Sequence, residues 1–105
     1  MSDSSSHHRA HALAAVALGA LLTGGASAQA VPEGRLLASN CFQCHGTNGK
    51  GPGFDKLAGK SASELYKELL EFRAGKEGKG IMAAHALGYS DAQLRALSTY
   101  LSTQR

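Results

Sequence analysis

Cys41-Phe42-Gln43-Cys44-His45 contains both cysteines of the chain, and the reading of this short stretch decides what the rest can fold around. A Cys-x-x-Cys pair alone serves a zinc site, a thiol-redox centre or a covalent haem anchor. A closed zinc site needs four ligands, and beyond residue 30 the chain offers one further histidine, His85, and no further cysteine. A thioredoxin-like dithiol needs a strand-and-helix framework, and no period-two run of β-branched residues follows Val31. The histidine directly after the second cysteine selects the third chemistry, because Cys-x-x-Cys-His is the attachment motif of c-type haem.

Each residue of the motif has a task in that chemistry. On a helix beginning near Pro32, the positions Gly34, Leu37, Cys41 and Cys44 follow the three-and-four spacing of one face. Both thiols then face one way and can bond the two vinyl groups along one edge of a porphyrin. His45 follows beneath the ring as the proximal iron ligand. For the distal ligand the inventory is short: Met82 is the only methionine after residue 30, and His85 stands three positions on. Met/His ligation is a standard arrangement that raises the reduction potential, so Met82 is the expected ligand and His85 its competitor. Iron with both axial positions filled favours electron transfer, whereas a haem catalyst or gas sensor needs an open sixth position.

Around the motif, 105 residues with 43% hydrophobic and 18% charged side chains describe one small globular domain. Residues 12–22 form an uncharged run of Ala, Leu, Val and Gly, preceded by Arg9 and followed by small residues with Ala-x-Ala sites ending at Ala28 and Ala30. This is the pattern of a cleavable secretory signal peptide, with the second site preferred. The run is shorter than the roughly 20 apolar residues of a membrane span, so no stable membrane insertion is expected after cleavage. Residues 1–30 are thus expected to be removed on export to the periplasm, leaving 31–105 as a monohaem domain with ten Lys+Arg against seven Asp+Glu. Domains of this size rarely hold together on a hydrophobic core alone, and covalent haem c supplies the staple.

The remaining segments predict an all-α fold. Residues 46–60 contain five glycines and Pro52 and read as a loop with apolar anchors at Phe54 and Leu57. Pro52 is either an ordinary turn proline or the carbonyl that accepts a hydrogen bond from the second ring nitrogen of His45. Ser61-Ala62-Ser63-Glu64 has capping-box spacing and opens a helix with Leu65, Leu69 and Phe72 on one face, ended by Gly75. Residues 76–80 form a polar, flexible approach to Ile81 and Met82. Ser90 and Gln93 make a second cap, and Leu94, Leu97 and Leu101 the stripe of a terminal helix. The expected pocket walls are Ile81, Leu87, Leu94 and Leu97.

Taken together, residues 32–105 resemble the class I cytochromes c, small proteins with three or more helices wrapped around one covalently attached haem. Cys41, Cys44 and His45 match the attachment motif, Met82 the ligand methionine, and the stretch from Ser90 to Leu101 the closing helix. The resemblance implies that first and last helices cross, with Gly34 or Ala38 against Tyr100. Leu37 stands where that family often has an aromatic residue. Ser63-Glu64-Leu65-Tyr66, Phe72-Arg73-Ala74-Gly75, Ile81-Met82 and Gly88-Tyr89-Ser90 are similar to the haem subunit of flavocytochrome c sulfide dehydrogenase.

That narrower likeness implies a chain that is no enzyme on its own and accepts electrons from a flavoprotein (FAD) sulfide dehydrogenase subunit or another redox protein. The alternative is a free diffusible cytochrome c that shuttles electrons to a terminal oxidase or reductase. Lys50, Lys56, Lys60, Lys76 and Lys79 fall on loops expected near the haem, where they either steer an acidic partner or simply solvate glycine-rich loops. Nucleic-acid binding is disfavoured, because the cations are interspersed with acids and no aromatic stacking platform accompanies them.

Overall fold

The computed structural model describes residues 30–105 together with 14–17, 19 and 24. The expected leader, residues 1–30, therefore lies for the most part outside the described residues. The chain runs through α1 (Glu33–Ala38), a 3-10 turn (Ser39–Cys41), α2 (Phe42–His45), a second 3-10 turn (Thr47–Gly49), α3 (Ala62–Arg73), α4 (Ile81–Leu87) and α5 (Asp91–Ser102). Among the described residues there is no strand, and no helix is long and apolar enough to cross a membrane.

The all-α expectation holds, and α1 crosses α5 as expected. Gly34 is buried at the crossing, where a Cβ would sit 2.8 Å from Tyr100 Cβ and collide with the Ala96 carbonyl. Only a residue without a side chain lets the two backbones come this close. Ala38, Leu65, Leu94, Leu97 and Leu101 form the buried core beside that contact. Tyr100 Oη also donates to Asn48 Oδ1 at 2.6 Å, tying α5 to the turn that follows the cysteine motif.

Two helix ends are built from the signals in the sequence. At the start of α5, Ser90 Oγ accepts from the Gln93 N–H (3.2 Å) while Gln93 Oε1 accepts from the Ser90 N–H (2.9 Å), a complete capping box. Ser61 makes only one half of the corresponding arrangement, accepting from the Glu64 N–H at 3.1 Å. Helix α3 ends with Gly75 at φ 73°, the Gly75 N–H reaching the Phe72 carbonyl and the Lys76 N–H the Glu71 carbonyl. This Schellman pair satisfies carbonyls that the helix leaves open.

Two expectations are corrected. The single helix from Pro32 through the motif is broken at Ser39, whose Oγ donates to the Leu36 carbonyl at 2.6 Å. Serine and asparagine compete with helical hydrogen bonding in this way, and the tighter turn re-aims the motif relative to Leu37. Phe54, expected as an apolar anchor, is 73% exposed, whereas Leu57 is half-buried against the core. Residues 81–87 form a helix of their own, for which Ala83, Ala84 and Ala86 supply high helix propensity.

Helix α4 is fastened at its C-terminal side. Tyr89 Oη donates to the Leu37 carbonyl and accepts from Asn40 Nδ2, both at 2.9 Å. Arg73 reaches the Tyr89 carbonyl and pairs with Asp91.

Gly34→Ala tests the crossing: on an exposed helix alanine would stabilise by up to about 1 kcal/mol, but here overpacking is expected to destabilise by about 1–3 kcal/mol in urea unfolding of the full chain. Tyr89→Phe removes one hydroxyl and is expected to cost about 1 kcal/mol in the same assay with helix content unchanged.

Candidate haem site

The two segments singled out in the sequence meet at one cleft of about 360 Å³, a volume suited to a small-molecule or cofactor site. Cys41, Cys44 and His45 line it from the motif, Met82 and His85 from α4, and Leu69 and Leu97 from α3 and α5. An adjoining cavity of about 160 Å³ is lined again by Cys41, His45, Met82 and Leu97. Met82 is half-buried and borders both cavities, while His85 is exposed and borders the larger one alone.

The His45 ring is buried and fixed. Its Nδ1 lies 2.6 Å from the Asp55 carbonyl oxygen, which can only accept, so Nδ1 carries the proton and Nε2 holds the free lone pair. A metal-binding imidazole needs this partner to fix its tautomer and orientation. The sequence offered Pro52 as a candidate for that role, and the structure gives it to Asp55. The reason is the path of the loop: the Gly51 N–H donates to the His45 carbonyl (2.8 Å) and the Phe54 N–H to the Cys44 carbonyl (2.9 Å). Those bonds fold residues 51–54 back along α2 and bring the next carbonyl, that of Asp55, onto the ring, while Pro52 is exposed.

Both cysteines are free and half-buried. Burial pushes the Cys41 thiol above its ordinary value, and the neighbouring Cys44 adds to the shift.

Of the expected pocket walls, Ile81 and Leu97 line the cleft. Leu94 instead lies fully inside the helical core, and Leu87 is 68% exposed on a separate groove beside Phe72 and Ala83. Tyr89 and Asn40 line the cleft and were not singled out as site residues. Their signal is tertiary, a hydrogen bond between positions 49 apart in the chain. Of the five lysines expected nearby, Lys60 borders the smaller cavity, 4.0 Å from Glu68, and the other four are exposed.

The donor set fits a covalently anchored haem: two free thiols three positions apart, an imidazole whose proton is held on the far nitrogen, and a thioether from another helix, all on one apolar cleft. Residues 31–105 match the cytochrome c family. Cytochrome c-553 of Nitratidesulfovibrio vulgaris is 32% identical over 97 residues, which cover 86% of this chain and 94% of that protein. The thiosulfate dehydrogenase electron acceptor of Thiomonas intermedia is 37% identical over 95 residues, 86% of this chain but 42% of that protein. The cytochrome subunit of sulfide dehydrogenase from Chlorobaculum tepidum is 30% identical over 69 residues, 65% of this chain and 63% of that protein. With the family matched from residue 31 to the last residue and the Cys-x-x-Cys-His motif on the cleft, the chain belongs to the cytochrome c family, carries one covalent haem c and is an electron-transfer protein rather than an enzyme.

Proposed function

We propose that Cys41 and Cys44 hold the haem through two thioethers, that His45 Nε2 and Met82 Sδ are its axial ligands, and that residues 1–30 direct export to the periplasm and are removed. There the domain receives electrons from a flavoprotein sulfide dehydrogenase. The observation that carries the ligand reading is the convergence of these four side chains on one cleft, with Nδ1 of His45 already engaged by Asp55. The partner reading is supported by the likeness to the sulfide dehydrogenase subunit of Chlorobaculum tepidum.

Haem supplies the one-electron chemistry when bound. The chain's own residues set its conditions. His45 is held in a single orientation by the Asp55 carbonyl, so its Nε2 would hold the haem iron without rotation of the ring. Leu69, Leu97 and Met82 give the cleft an apolar inner wall, and a rigid apolar wall reorganises little when charge changes. Phe54 and Ile81 border the cleft and are exposed, which places apolar contact area at its mouth for a docking partner. The exposed Lys50, Lys56, Lys76 and Lys79 add positive charge that speeds encounter with an acidic surface.

A second reading, a free carrier of electrons between larger complexes, is favoured by the match along 94% of the small cytochrome c-553. The two readings separate when the natively purified protein is mixed with sulfide without oxygen. Co-purifying flavin absorbance with rapid reduction of flavin and haem is expected for the dehydrogenase partner. A haem protein that elutes alone, and is reduced by sulfide no faster than an unrelated cytochrome c, establishes the free carrier instead. Anchorage has its own test: haem is expected to stay with the native polypeptide in acidified acetone and to extract from the Cys41→Ser/Cys44→Ser variant. Haem that remains bound to that variant through extraction would overturn the assignment of both thioethers.

A further inference from the structure

We propose that His85 is a reserve axial ligand, which takes the position that Met82 vacates. The inference rests on the proposed ligation by Met82 and concerns the residue that the proposed function leaves unused. Met82 and His85 are three positions apart on α4 and line the same cleft. Three residues correspond to about 4.5 Å along a helix axis and about 60° short of a full turn, so the two donors lie one above the other on one face. No hydrogen bond or ion pair engages the His85 ring among the described residues; its backbone carbonyl accepts from the Gly88 N–H.

The two ends of α4 are held differently, and this asymmetry decides which donor is released first. The N-terminal turn, which carries Met82, follows the exposed residues 76–80, and Gly80 provides no side-chain cap. Uncapped first turns leave backbone N–H groups without partners and fray. The C-terminal turn, which carries His85, runs into Tyr89. That residue is tied to Leu37 and Asn40 through its hydroxyl and to Arg73 through its carbonyl. Fraying from the loose end therefore withdraws Met82 while His85 stays at the cleft. The exchange balances without an added reagent: the Met82 Sδ–iron bond breaks, a bond from the neutral His85 imidazole to iron forms, and no electron or proton leaves the site.

Met82→Leu conserves side-chain volume and removes the donor, so the holoprotein is the object of the test at pH about 8, where an ordinary histidine is neutral. The ferric protein is expected to remain six-coordinate and low-spin, with a lower midpoint potential than the native protein because an imidazole replaces the thioether. Added imidazole should bind more than about ten-fold more weakly to Met82→Leu than to Met82→Leu/His85→Leu, since a resident ligand must first be displaced. A high-spin spectrum for Met82→Leu, with equal imidazole affinity in the two variants, overturns the reserve role and leaves Met82 as the native ligand. The single variant His85→Leu distinguishes failure of the underlying reading. Retention of the methionine methyl resonance shifted by the haem is expected. Native protein that lacks this resonance and turns high-spin in His85→Leu has His85 as its resident ligand, which overturns both statements.

Discussion

Everything at the cleft depends on the contact between Gly34 and Tyr100, where α1 and α5 cross with no side chain between the backbones. Helix α1 has six residues, far below the length at which a helix stands alone in water, so its position is set by the helix it packs on. The same Tyr100 reaches Asn48 beyond the motif. The stretch from Cys41 to His45 is therefore gripped on both sides by a single residue of α5. Displacing α5 would misplace the thiols and the imidazole together, although α5 contributes to the cleft chiefly through Leu97.

A second tie reaches the motif from the other direction. Tyr89 binds the Leu37 carbonyl and Asn40, and the chain on either side of Tyr89 is α4 and the capping box of α5. The proximal side chains and the methionine helix are thus linked through protein as well as across the cleft. Among the described residues the fully buried large side chains are few, Leu94, Leu97 and Leu101 together with Ser98. A domain with so small an interior gains stability from any group that binds only the folded state, and Leu97 belongs both to that interior and to the cleft wall.

What the sequence disclosed follows the range of the interactions involved. The capping box at Ser90, the Gly75 terminator and the leucine stripe of α5 are local patterns, and the structure contains each of them. The cysteine motif is equally local, and Cys41, Cys44, His45 and Met82 all reach the cleft. The partner of His45 was not legible, because a backbone carbonyl is offered by every residue and only the path of the loop selects Asp55 over Pro52. The break at Ser39 was hidden by an apolar spacing that fits one continuous helix. Leu94 and Leu87 show the same limit: periodicity gives the face of a helix but not which neighbour that face meets. The role of Tyr89 arises from contacts 49 and 52 positions away in the chain.

The unequal anchoring of α4 also bears on how a small electron carrier reconciles rigidity with release. Electron transfer is served by walls that do not rearrange, and the walls from α3 and α5 belong to helices of 12 residues with side-chain caps. Helix α4 has seven residues and no side-chain cap at its N-terminus, and local opening costs least where such caps and buried contacts are fewest. Such freedom in the helix that carries the proposed Met82 ligand would be a liability if that donor were alone. With His85 one turn along, beside the fixed end, local opening of the first turn would, on the proposed reserve role, change which atom faces the cleft centre. The same sequence feature, a glycine-rich approach followed by Met82 and His85, thereby underlies the unequal anchoring that the proposed exchange would use.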